Sequence, residues 1–359
     1  MNVRNPQPLP LVHSRRARAG PLSPIESLAA AWHETLRLLF RPFHARRWIE
    51  LSVVCLFLGG GTSTAAFHWG LSILPIDVPL SEMVLNLRTV ISQHLSLIIL
   101  AIVLGLGLAL ALLYVRCVLR FVLVEAVIKQ EVEPGTSWKS VHALGRAYFF
   151  WLVGILGIVL VAASGGVMLS FRYLGPAPSS DHPSWLASLV LVIILIVVVL
   201  IGLSITVAIT LTDDLVVPLI YAERGSFPAA WRKVWGVARH DPATFLFYVA
   251  LRFTVSVGIG VVVLFLLFPV LMSLSSAAIV IAALVNLSLH VVGLAWNWNP
   301  LTMVLGVTAI LLLIGLLFAI LSLVGMPGQV YMQNYGVRFI ASRYRALEAL
   351  SPVAAGRRR

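Results

Sequence analysis

Charge is scarce in this chain. Asp, Glu, Lys and Arg make up 11% of its residues, where a soluble domain carries about 25%. That excludes an ordinary water-soluble fold. Acidic residues are scarcer still, 14 against 26 basic, and there are two cysteines, Cys55 and Cys117. Both cysteines fall within or at the edge of apolar runs, so they read as small buried apolar residues and not as a disulfide framework. No glycine-rich nucleotide loop and no Gly-x-Ser-x-Gly elbow is present. The nine histidines are scattered, and none stands at metal-ligand spacing from an acid or a cysteine. No metal, no cofactor and no catalytic residue is therefore expected. Residues 1–22 lack an apolar stretch, which excludes a signal peptide there. No soluble basic domain exists to turn the net charge of +12 toward nucleic acid.

What is there is hydrocarbon. Apolar residues make up 60% of the chain, and the mean hydropathy is +0.97. A membrane helix needs ~20 mostly apolar residues. The stretches that qualify are Trp48–Leu71, Leu95–Val115, Tyr148–Phe171, Leu186–Thr212, Phe245–Met272 and Leu301–Met326. The segments before the first, after the second, after the fourth and after the last hold 8, 5, 4 and 6 Lys and Arg, together 23 of the 26. Cations favour the cytoplasmic side, so both termini are expected there, in a bacterial inner membrane. Leu274–Trp296 is also apolar but contains Asn286 and His290. A full crossing would carry the basic tail outside, so this segment is expected to be an external helix in or re-entering the outer leaflet.

One pattern recurs. Two small residues precede a tryptophan at Trp32, Trp138 and Trp231. An arginine follows eight or nine residues later (Arg41, Arg146, Arg239), and then an apolar run begins. Each reads as an amphipathic helix on the membrane surface leading into a transmembrane hairpin. In the first, Ser23-Pro24-Ile25-Glu26 forms a capping box with Pro at the first helical position. Leu28, Trp32, Leu36 and Leu39 supply the stripe, and Pro42 ends the helix. In the third, Ser226 can cap, Trp231 and Trp235 share a face, and Pro242 breaks the helix. The second has Thr136 as a cap but no proline after it. Trp32, Trp138, Trp231 and Trp235 are the expected interfacial anchors. The exits from spans two, four and six each combine a breaker with a turn-permitting glycine: Pro134-Gly135, Pro218 with Gly225, and Pro327 with Gly336.

The expected architecture is all-α: a polytopic bundle of six transmembrane helices forming three hairpins, each preceded by a cytoplasmic interfacial amphipathic helix. A single membrane domain covers 23–350, with repeat units near 23–121, 134–217 and 226–326 and an external helix near 274–296. Basic, disordered ends, 1–22 and 351–359, flank it.

The stretch Asp213–Phe245 joins Asp-Asp and Pro218 to Glu223-Arg-Gly225, Ala230-Trp231, a basic helix and a new span. It resembles the membrane domain fused to some bacterial glycerophosphodiester phosphodiesterases, and the related uncharacterised six-span bacterial proteins. Trp32–Leu71 carries part of the same likeness. The resemblance implies a six-helix membrane bundle. It implies no catalysis, because that family's chemistry lies in a soluble barrel this chain lacks.

Polar residues in the membrane region are few. Arg252 lies about two turns into span five, and a central arginine costs at least ~2.5 kcal/mol. It is expected to pair with a carboxylate, from Asp213, Asp214 or Glu50; contact with a lipid or substrate phosphate, or a transport role, are the alternatives. Asp213-Asp214 reads as a charged lid at the interface, with a cation or proton site as its functional reading. Glu50 and Glu125 are expected at the interface. The runs Gly59–Ala66 and Gly258-Ile259-Gly260 read as close-packing faces. The favoured function is a non-enzymatic scaffold, accessory subunit or lipid-associated protein, with anionic membrane lipids and other membrane subunits as partners. A permease-like subunit and an enzyme acting on lipid head groups are the competing readings.

Overall fold

The computed structural model describes residues 21–58, 80–131, 134–174, 185–291, 300–344 and 347. Among the described residues all regular structure is helical. In chain order it comprises α1 (Pro24–Phe40), α2 (Ala45–Phe57), α3 (Leu80–Lys129), α4 (Pro134–Leu174) and α5 (Trp185–Leu211). A π turn (Thr212–Val216) follows, then α6 (Val217–Glu223), α7 (Phe227–His240), α8 (Pro242–Val291) and α9 (Pro300–Ala341). Among the described residues five helical stretches are long and apolar enough to cross a membrane: Leu95–Lys129, Ser137–Gly166, Val192–Glu223, Pro242–Leu284 and Gly306–Ala341. α3 and α8 each run 50 residues. At 1.5 Å per residue that is ~75 Å, against a hydrocarbon thickness of ~30 Å.

The packed core gathers at one end of these long helices. It contains Cys117–Ile128 of α3, Val141 and Tyr148 of α4, Leu215–Tyr221, Val234 of α7, Tyr248 of α8 and much of Met326–Ile340 of α9. α1 and α2 close it with Ala31, Leu38, Leu39, Leu51, Val54 and Cys55. Away from this end most of the described apolar side chains face outward: Phe265 is 80% exposed, Met168 77% and Ile158 72%, with Val263 and Leu267 buried among them. Such a surface cannot stay in water, since each buried large apolar side chain gains ~1.5–3 kcal/mol.

Local chemistry sets the ends of the short helices. Ser23 Oγ accepts from the Glu26 amide at 3.2 Å, and the Ser23 amide donates to Glu26 Oε2 at 2.8 Å, so the capping box forms. The bond to Ser23 holds the Glu26 carboxyl below its usual pKa. α1 stops at Phe40, where Arg41 turns extended ahead of Pro42. α7 starts after Ser226, whose side chain makes no capping bond. Asp241 ends α7 and caps α8, its Oδ1 accepting from the Thr244 amide at 3.1 Å.

Several expectations are corrected here. α1 packs on the protein through Ser27, Ala31, Thr35, Leu38 and Leu39, so Leu39 leaves the expected outward stripe, while Trp32 stays outward at 53% exposure. Small residues win that face because α9 approaches closely: Asn334 Nδ2 donates to Thr35 Oγ1 at 3.0 Å. The second repeat has no separate surface helix, since α4 is continuous from Pro134 to Leu174 and no proline interrupts it. α9 runs straight through Pro327 and Gly336. Gly328 and Gly336 serve close approach, not a turn: a Cβ on Gly328 would stand 2.6 Å from Ile259. At the span-four exit it is Arg224, with φ 54°, and not Gly225 that takes the left-handed conformation. The segment expected as an external helix, 274–296, is up to Val291 the uninterrupted continuation of α8. Gly258 and Gly260 have open space where a Cβ would stand, so they do not mark a packed face. Glu125 is buried instead of interfacial, bonded to Lys129 and, at 3.1 Å, to Ser140. The first expected span is helical from Trp48 to Phe57. Residues 59–71, with the run Gly59–Ala66, lie outside the described residues, as do 1–20, 292–296 and 351–359.

Candidate functional site

The helices of the core end meet around opposed charges. The site begins with Pro218. A proline has no N–H, so the carbonyl of Asp214, four residues earlier, loses its α-helical donor. The chain widens there into the π turn, closed by the Val217 amide donating to the Thr212 carbonyl. Such single π turns recur at functional positions. α9 takes advantage of the freed carbonyl by approaching it at Gly336, where a Cβ would stand 2.4 Å from the Asp214 oxygen. Only a glycine fits such an approach.

The widened turn presents both acids to the core. Arg252 of α8 donates through Nε to Asp214 Oδ2 and through Nη1 to Ser256 Oγ. Ser256 Oγ in turn donates to the Arg252 carbonyl at 2.9 Å. From α3, Arg120 Nη2 donates to Asp214 Oδ1 at 3.3 Å, and its Nε lies 3.5 Å from Asp213 Oδ1. From α4, the Tyr148 hydroxyl donates to Asp213 Oδ1 at 2.6 Å. The Asp214 side chain is 1% exposed, those of Arg120, Asp213 and Arg252 13%, 14% and 15%. Two guanidinium groups thus balance two carboxylates, and both acids are held by donors from other helices. Aromatic rings wall the cluster. Tyr248 stacks on Tyr335 at 4.9 Å and on Phe339 at 4.1 Å. The hydroxyls of Tyr248 and Tyr335 find no hydrogen-bond partner among the described residues.

Of the residues singled out in the sequence, Asp213, Asp214 and Arg252 come together. Glu50 does not join them; it pairs with Arg46 at 2.8 Å on α2. Arg120 and Tyr148 were not singled out. In the sequence Arg120 counts only as one of the five basic residues that follow the second apolar stretch. Its signal was available, since it stands inside the apolar run Val118–Val124, as anomalous as Arg252 in span five. Trp32 lies edge-on to Tyr331 at 5.8 Å, and Trp138 is half-buried near the start of α4. Trp231 stacks on Trp151 at 6.4 Å, and Trp235 is 54% exposed under the Arg239 guanidinium at 5.5 Å. Among the described residues no group of three or more His, Cys, Asp or Glu could hold a metal ion. Cys55 and Cys117 are free and buried.

Chemically, the cluster is a lock. Each carboxylate is already engaged, so neither is set up as a free base. Removing one charged member would leave the buried cluster with a net charge. No curated protein and no solved structure matches the chain. A family model does match, over residues 22–350: the chain belongs to a family of unknown function, DUF7544.

Proposed function

We propose that this protein is a non-enzymatic integral membrane scaffold or accessory subunit, anchored in the bacterial inner membrane and associated with anionic lipids. The observation that carries this reading is the division of the molecule. One end is a packed core locked by a charge-neutral cluster, and the rest presents apolar side chains outward over membrane-length helices. A scaffold needs a fixed end and an embedded surface; a catalyst needs an unengaged reactive group.

In this reading the chain crosses six times, with α2 beginning the first span. The core end and both termini face the cytoplasm, where the cations concentrate. α1 and α7 lie along that leaflet. α1 supports this with an outward apolar strip, Ile25, Trp32 and Phe40, beside Arg37 and Arg41. The likeness to the phosphodiesterase-fused membrane domain belongs to this proposal as a statement about fold. The buried π turn favours one second reading, a permease-like subunit whose helices move at that turn.

The test is purification in a mild detergent followed by native mass spectrometry and reconstitution. The scaffold reading expects retained anionic phospholipid with a stoichiometric membrane partner or second copy. Head-group release from added phospholipid would overturn it in favour of an enzyme, and solute uptake by proteoliposomes in favour of a permease. Reporter fusions at Ser180 and at the C-terminus test the topology; matching signals from the two would refute six spans.

A further inference from the structure

α7 carries a shallow groove that the ion-pair cluster does not use, lined by Trp231, Arg232, Trp235, Gly236 and Arg239. Arg232, Gly236 and Arg239 follow one another at spacings of four and three, so they share a helix face with the glycine between the arginines. The two arginines are seven residues apart, ~10.5 Å along the axis, and both side chains can reach one group placed over Gly236.

Gly236 itself has no packing explanation. A Cβ there would meet nothing within 4 Å, and glycine inside a helix weakens it. The missing side chain leaves an open saddle. On one side stand the indoles of Trp231, held by stacking on Trp151, and Trp235. The buried Trp231 indole N–H has no hydrogen-bond partner among the described residues. Arg239 is pre-oriented over the Trp235 ring. Neither Arg232 nor Arg239 forms an ion pair among the described residues, whereas their neighbour Lys233 is held by Glu223 at 2.5 Å. Two unmatched guanidinium groups, an open saddle and an aromatic wall therefore coincide.

We infer that this groove binds the phosphodiester head group of an anionic membrane phospholipid. The guanidinium groups take the phosphate oxygens over Gly236, the geometry arginine suits best. The indoles contact the glycerol and upper acyl chain, where amphipathic rings settle. The groove lies on the C-terminal half of α7, where the helix dipole opposes an anion; two formal charges in direct contact outweigh that partial one. A free phosphate ion would use the arginines but leave the aromatic wall without a partner, so the lipid is the ligand. This inference rests on α7 lying at the cytoplasmic leaflet.

The experiment is a lipid titration of the full chain by native mass spectrometry, with phosphatidylglycerol and with phosphatidylcholine. It compares the unaltered protein, Arg232→Gln/Arg239→Gln and Gly236→Leu. The unaltered protein is expected to prefer phosphatidylglycerol, the double arginine variant to bind it about thirtyfold more weakly, and Gly236→Leu, which fills the saddle, to lose the preference as well. Gly236→Leu is expected to unfold at an equal or higher temperature, because leucine favours the helix; lost binding with retained stability separates the groove from simple misfolding. Inorganic phosphate should not displace the lipid, and displacement would overturn the lipid assignment in favour of a soluble phosphate. If the unaltered protein prefers the anionic lipid and both variants keep that preference, the groove is wrong and the lipid-associated reading stands. If the unaltered protein shows no preference, both fail.

Discussion

Replacing Arg252 with leucine tests the ion-pair lock directly. The intact cluster holds Arg120 and Arg252 against Asp213 and Asp214 and is neutral. Arg252→Leu leaves it with one cation and two anions, and Asp214, whose side chain is 1% exposed, loses its main partner. Breaking a buried pair costs ~3–5 kcal/mol. We expect the lower end of that range, because Arg120 still reaches Asp214 Oδ1 at 3.3 Å. Asp214→Asn leaves two cations on Asp213 alone and should also cost about 3 kcal/mol. Combining the two restores neutrality, with Arg120 and Asp213 remaining at 3.5 Å. The double variant should therefore cost about as much as either single one, a coupling of about 3 kcal/mol where independent sites add to within ~0.5 kcal/mol. Equilibrium unfolding in mixed micelles, followed by tryptophan fluorescence, measures each corner of the cycle. Additive losses would show that Arg252 and Asp214 contribute separately, and the lock would be refuted.

Three further outcomes follow from the geometry. Gly336→Ala must push α9 off the Asp214 carbonyl, 2.4 Å from the new Cβ, at ~1–3 kcal/mol. Gly258→Ala, with open space around it, should be neutral or stabilising; equal effects in thermal unfolding would contradict the packing described. Tyr148→Phe removes the 2.6 Å bond to Asp213 while keeping the ring, and should cost ~1.5–3 kcal/mol, as bonds to charged groups do; an unchanged unfolding midpoint would show that the bond contributes nothing. Bonds from Thr244, first through its side chain and then through its amide, hold the Asp241 carboxyl below the usual aspartate pKa. The cap is thus complete above that usual value and is lost as pH falls through the depressed one. Amide exchange at the start of α8 should quicken on acidification relative to Asp241→Asn, which caps without titrating; parallel behaviour would argue against the cap.

Hydrophobicity and helix capping act between near neighbours, so the sequence alone determined what depends on them. Long apolar runs dictated membrane-length helices, Ser23 and Glu26 dictated the start of α1, and the prolines at 42 and 242 dictated where α1 and α7 end. The acids just after α5 and the arginine in α8 were legible for the same reason, since a charge in an apolar run stands out wherever it pairs. Their partners were not legible. The contacts of Arg120 with Asp214, Tyr148 with Asp213 and Arg252 with Asp214 join residues 94, 65 and 38 positions apart, and no local pattern encodes which helices meet. Tertiary packing also decided that α1 buries its small face and leaves Trp32 outward, that Gly336 admits a backbone oxygen instead of making a turn, and that α9 continues through Pro327. A neighbouring helix can bury a face or fill a gap at the cost of a weak local preference, because several buried contacts together outweigh the ~1 kcal/mol that one glycine or one stripe contributes.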